Sequence, residues 1–195
     1  MSAPRKLLTI LVSKSTWRRY AYLLIGAALT APYGMLGSFL GEAIEGGVGA
    51  VVTWVIVVLV CFVALPVVTG MLAPIREIEV AASRRLLGAQ LGAVELHHGV
   101  PAWSTRWRSA AWFVGHLVIG FAIGALTLVM PPAVLSACYA PFASGDVQLG
   151  QLDAIVPGGP QSAWIVPLAL LAPVALVLLV TSAGALLARL APRLL

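Results

Sequence analysis

Charge is what this sequence has least of. Lys, Arg, Asp and Glu together make up 10% of the 195 residues, against about 25% in an ordinary soluble domain. So few charges cannot cover a water-facing surface. With 61% hydrophobic residues and a mean hydropathy of +1.00, the composition is that of an integral membrane protein. Cysteine is scarce as well. Cys61 lies in the middle of one apolar run and Cys138 near the outer end of another, so a bridge would have to cross about half the bilayer. Both therefore read as small buried apolar residues. Metal-ligand spacing is missing, since His97, His98, His116 and the two cysteines lie at incompatible depths. Hydrolase elbows, phosphate loops and dinucleotide fingerprints are missing too. No catalytic set, metal or cofactor is expected, and the chain reads as non-enzymatic.

What is present is four apolar runs, at 20–41, 48–72, 110–130 and 163–187. Each lacks Lys, Arg, Asp and Glu, and each reaches the length of about 20 residues that a bilayer core asks of a helix. None alternates as the strands of a membrane barrel do. The expected fold is all-α: an integral membrane four-helix bundle of two transmembrane hairpins, with an amphipathic cytoplasmic bridging helix. The chain divides into a basic N-terminal segment 1–19, hairpin 20–72, bridge 73–109, hairpin 110–187 with an extracytoplasmic loop 131–162, and a tail 188–195.

Orientation follows from the cations. All twelve Lys and Arg fall in 1–19, in the bridge, or at Arg189 and Arg193. The loops 42–47 and 131–162 carry Glu42, Glu45, Asp146 and Asp153 instead. Positive segments stay inside, which predicts cytoplasmic termini and a cytoplasmic bridge in a cell membrane. Trp17, Tyr20, Trp103, Trp107 and Trp112 fit as markers of that interface. The net charge of +5 sits beside apolar runs, so anionic lipid headgroups are the expected neighbours and nucleic acid is not. The patch 7–12 is too short for a cleavable signal peptide and no cleavage site follows it, so it reads as a piece resting on the inner leaflet. Both outer loops are too small to fold as independent ligand-binding modules. An external signal is then read by the second loop, by the outer mouth of the bundle, or from the lipid.

The bridge reads as a helix from Pro74 to about Glu95, with Ile75, Ile78, Ala82, Leu86, Ala89 and Ala93 at helical spacing and Leu87 and Val94 beside them. Gly99-Val100-Pro101 ends it. Arg84 and Arg85 border the stripe. This describes a helix lying on the inner leaflet, the alternative being a partner-docking helix. The halves also resemble a tandem repeat: Thr16-Trp17-Arg18 matches Thr105, Trp107 and Arg108, Ala21-Tyr22 matches Ala111-Trp112, and Val68-Thr69 matches Val180-Thr181.

Candidate functional residues are few. His116 is the one ionisable side chain in an apolar run, either a pH-sensitive element or a neutral imidazole bonded to a neighbouring helix. A proton relay would need a carboxylate at similar depth, and none is expected there. Glu42 and Glu45 in the first outer turn and Arg84 and Arg85 in the bridge complete the set. Gly37 and Gly41, and Gly120 and Gly124, are spaced for helix packing. Pro32, Pro66, Pro167 and Pro173 permit kinks. Glu95-Leu96-His97 mimics a kinase phospho-acceptor box but has no ATP-binding signature after it.

Thr16-Trp17-Arg18-Arg19-Tyr20, the run from Glu79 through Arg84, Arg85, Leu86, Leu87 and Gly88, and the second entry at Trp107-Arg108 carry a family resemblance. The chain resembles the membrane sensor domain of actinobacterial sensor histidine kinases and related short sensor-domain proteins, over about Lys14 to Arg193. The resemblance implies signal reception at the membrane, passed through the fourth helix to a cytoplasmic partner such as a histidine kinase core, with a homodimer as a further expectation. The sequence departs from the kinase pattern in ending at Leu195 without a dimerisation helix or ATP-binding domain. It would therefore act on a separate partner, or belong to a longer reading frame. The alternative is a small transporter or permease subunit, suggested by the helix prolines and tandem hairpins.

Overall fold

A computed structural model describes residues 13–42, 44, 48–91 and 102–195. The patch 7–12, Glu45, the Glu95-Leu96-His97 sequence, His98 and the breaker 99–101 lie outside them. Six α-helices are described: α1 (Lys14–Glu42), α2 (Val48–Leu59), α3 (Leu65–Gly70), α4 (Ala73–Ala82), α5 (Trp103–Tyr139) and α6 (Ile165–Leu194). A π turn at Val60–Ala64 joins α2 to α3 without a break, its widened step closed by the Leu65 N–H on the Val60 carbonyl. Pro66 follows at once. Its missing N–H and bulky ring disfavour a regular α turn, and a wider turn accommodates both. Among the described residues, four helical stretches are long and apolar enough to cross a membrane: Lys14–Glu42, Ala50–Gly70, Trp103–Phe142 and Pro160–Leu194.

These stretches agree with the four apolar runs, and their ends differ in instructive ways. α5 does not stop at Met130. It continues through Pro131 and Pro132 to Tyr139, so the outer loop is shorter than the expected 131–162. Proline withdraws only its own N–H, and a helix can run through such a pair where the next turn is packed. The turn beyond Pro132 has Ala137 and Ala140 buried, and Gly150 donates its N–H to Ser136 Oγ at 3.2 Å. The outer segment also folds into a two-residue antiparallel ladder, Val147–Gln148 (β1) with Ile155–Val156 (β2). That ladder had no signal in the hydropathy pattern.

The bridge departs most from expectation. Its helix ends at a second π turn, Ser83–Leu87, and not near Glu95. Gly88 takes the left-handed conformation, φ 69°, and its N–H and that of Ala89 both bond the Ser83 carbonyl. A non-glycine residue would be strained in that conformation. The buried face is Glu79, Val80, Ser83 and Leu87, whereas Ile78 is 62% exposed. The apolar stripe of the sequence is thus rotated away from the actual contact. α4 packs by a half-polar face, with Leu87 and Ala89 in the core beside Tyr22, Trp112, Leu187 and Ala191.

Glycines set the closest approach of α1 to α5. A Cβ on Gly120 would lie 2.6 Å from the Leu23 carbonyl oxygen, and one on Gly26 2.6 Å from the His116 carbonyl oxygen. Nothing lies within 4 Å of the same position on Gly34. Gly120→Ala should therefore destabilise the protein by about 1–3 kcal/mol through overpacking. Gly34→Ala should be neutral or stabilising by up to about 1 kcal/mol through helix propensity. Detergent-solubilised unfolding followed by near-UV circular dichroism separates the two.

Candidate functional site

The crossing of α1 and α5 leaves room for one polar cluster, and α4 completes it. Tyr22 comes from α1, Glu79 from α4, Ser83 from the turn after it, and Trp112 and His116 from α5, one helical turn apart. All five side chains are sealed from solvent, with Tyr22, Ser83 and His116 at 0%, Trp112 at 1% and Glu79 at 3% exposure. His116 Nδ1 lies 2.9 Å from Glu79 Oε1 and 3.1 Å from Oε2. Its Nε2 lies 2.9 Å from the Tyr22 backbone carbonyl. The Tyr22 hydroxyl and the Trp112 indole N–H donate to Glu79 Oε2 at 2.8 and 3.1 Å. Ser83 Oγ donates to the Tyr22 hydroxyl at 3.4 Å. The Tyr22 and His116 rings stack, with centroids 3.9 Å apart and planes 5° from parallel.

Donor chemistry narrows the protonation states to two. Both imidazole nitrogens face oxygen atoms, and the carbonyl at Nε2 can only accept. A neutral imidazole has a single N–H, so both contacts are made in two ways only: an imidazolium against a carboxylate, or a neutral imidazole against a protonated Glu79. The two donors on Oε2 favour the ionised carboxylate. Burial alone would raise the Glu79 carboxyl. The His116 hydrogen bond and positive charge, with the Tyr22 and Trp112 donors, outweigh it and hold the group below its ordinary value of 4.5. The site is a buried acid–imidazole pair in which both carboxylate oxygens are hydrogen-bonded by protein groups.

The candidates chosen from sequence are scattered by comparison. His116 is at the centre of the cluster. Arg84 and Arg85 sit on the exposed side of the turn that carries Ser83, and Glu42 is exposed at the far end of α1. Gly120 lies against Leu23 and Gly26, and Gly124 against Ala27. Gly37 meets Phe62 and Cys61 across the π turn, and Gly41 faces Trp54. The expectation that His116 has no carboxylate at its depth is corrected: Glu79 reaches it from the bridge, outside every apolar run. Trp112 is corrected too, being a buried donor and not an interface marker, while Trp17, Trp103 and Trp107 are exposed. Cys61 is buried and Cys138 half-buried, both as free thiols. Among the described residues no three His, Cys, Asp or Glu gather as metal ligands. One signal had been available for the missed residues. Tyr22 and Trp112, paired by the tandem match, donate to the same oxygen atom.

No family model, no curated protein and no solved structure matches the chain.

Removing one partner of a buried pair strands the other charge. Glu79→Ala should cost about 3–5 kcal/mol, measured as a fall in unfolding free energy in detergent. The pH dependence follows from the depressed carboxyl. Its stabilisation is complete above the ordinary carboxylate value of 4.5 and is lost as pH falls through the lower folded value. Acid titration should therefore loosen the packed aromatic signal of the wild type below pH 4.5 and leave Glu79→Ala much flatter in that range.

Proposed function

We propose that the protein is a non-enzymatic, multi-pass membrane signalling module. It lies in the cell membrane as a bundle of four spanning helices with both termini and the bridge in the cytoplasm. The lateral surface supports insertion: Met35, Phe39, Leu128 and Leu135 are each at least 70% exposed, an arrangement suited to lipid. The cations support the orientation. Arg19 donates to the Thr181 carbonyl and Arg76 to that of Leu195, so the basic entry of α1, the bridge and the last turns of α6 share one end.

One observation carries the signalling role. The cytoplasmic bridge inserts the carboxylate that the first and third spanning helices clamp. A shift between those helices disturbs the clamp and with it the seat of the bridge. α4 and the exposed Arg85 of the π turn after it then form the output surface for a kinase core or another regulatory protein. The family resemblance rests on its own short motifs and points the same way. Co-purification from mild detergent should recover such a partner, and Arg84→Glu with Arg85→Glu should reduce the recovery by about tenfold or more. Repeated recovery of the protein alone overturns the reading.

A small transporter subunit is the second reading, favoured by the acid–imidazole pair, since intramembrane titratable pairs serve proton-coupled carriers. Proteoliposome flux that Glu79→Gln abolishes would install it in place of the first.

A further inference from the structure

At the end of the molecule away from Glu79, α5 and α6 diverge around a cavity of about 360 Å³, a size typical of small-ligand pockets. Ala133 and Ala137 face it from α5, and Ala169 and Ala172 from α6. Small residues at such spacing usually bring helices together. Here they line a space, and Leu149 and Leu152 of the turn between β1 and β2 roof it. The remaining walls are Leu, Val, Met and Ile, with no polar side chain anywhere in the lining. Water gains no hydrogen bonds from such walls. The roof is a built element. Gly150 has φ 60°, and a Cβ there would lie 2.7 Å from the Ala133 nitrogen, so the turn is seated directly on the α5 backbone beside Pro132.

The rim gives the other half of the recognition. Asp153 is exposed in the same turn, next to the roofing Leu152, and Asp146 is exposed just before β1. Between Arg108 and Arg189 the sequence has no Lys or Arg to balance them. Tyr139, Phe142 and Trp164 are each at least 60% exposed around this end, as aromatic side chains are at headgroup depth. Hydrocarbon walls below an uncompensated acidic rim complement one kind of molecule.

We infer that this cavity binds the hydrocarbon chain of a cationic amphiphile, whose head pairs with Asp153 at the rim. The inference rests on the signalling reading and supplies its stimulus. Filling the cavity fixes the roof on α5 and the start of α6, and α6 continues to Leu187 and Ala191, which pack against Leu87 and Ala89 of the bridge. The site itself is independent of any partner protein.

The test uses the full chain in neutral phosphatidylcholine nanodiscs, photolabelled with decyltrimethylammonium carrying a diazirine on the chain, then with an uncharged decyl glucoside analogue. The cationic probe should label residues of the cavity, and Ala133→Phe with Ala169→Phe should cut that labelling by about tenfold. The exposed variant Asp153→Asn, which leaves the core untouched, should lower the preference for the cationic probe by about twofold to fivefold. Label spread evenly over lipid-facing residues, or equal labelling by both probes in the wild type, overturns the inference. Because occupancy is read without an output protein, labelling at the cavity alongside failed co-purification would sink the signalling reading and leave the site standing.

Discussion

A carboxylate removed from water must recover its solvation inside the protein, and that requirement organises this molecule. Glu79 is 3% exposed, and the cost of stripping an isolated ion is several kcal/mol even after relaxation. His116, Tyr22 and Trp112 together replace the lost shell. Each comes from a different constraint. His116 needs an acceptor at Nε2, which the Tyr22 carbonyl supplies. The Tyr22 ring must lie flat on the imidazole. That stacking demands backbones so close that only glycine fits at positions 26 and 120. The helix crossing, the two glycines and the charge pair are one solution to one problem.

The apolar framework was legible in the sequence because length and the exclusion of charge decide it without knowledge of packing. Positions of the four long apolar helices follow from the first, and the grouping of cations from the second. The bridge was not legible for the opposite reason. Its pattern holds two overlapping faces, one apolar through Ile75, Ile78 and Ala82, the other mixed through Glu79, Val80 and Ser83. Periodicity selects the first. A buried partner selects the second, and that partner, His116, is distant in sequence. The continuation of α5 past Pro131 has the same character: the apolar run ends at Met130, and the packing of Ala137 and Ala140 on the turn beyond is not written in local hydropathy.

The tandem match between the halves takes on physical content at the site. Tyr22 and Trp112 occupy equivalent places after their Trp-Arg entries, and both donate to Glu79 Oε2. Four residues beyond each come Gly26 and His116, which press against one another. Two similar entry segments thus present one donor each to a shared acceptor, then diverge into a smooth surface and an imidazole. The bridge, which has no counterpart in the scheme, contributes the acid. One donor from each entry segment thus meets on the single acid that α4 brings.

The seat of α4 has the energetics of a latch. A buried ion pair resists small displacements steeply, because a carboxylate drawn away by an ångström or two loses hydrogen bonds before water can replace them. Past that point water begins to replace the lost hydrogen bonds. Packing by Leu87 and Ala89 alone would yield gradually with distance, since dispersion and apolar burial have no preferred direction. The polar face of α4 therefore fixes its depth and rotation more sharply than apolar packing would. The hydrogen bonds made by Glu79 and Ser83 account for why these two residues, and not Ile78, face inward.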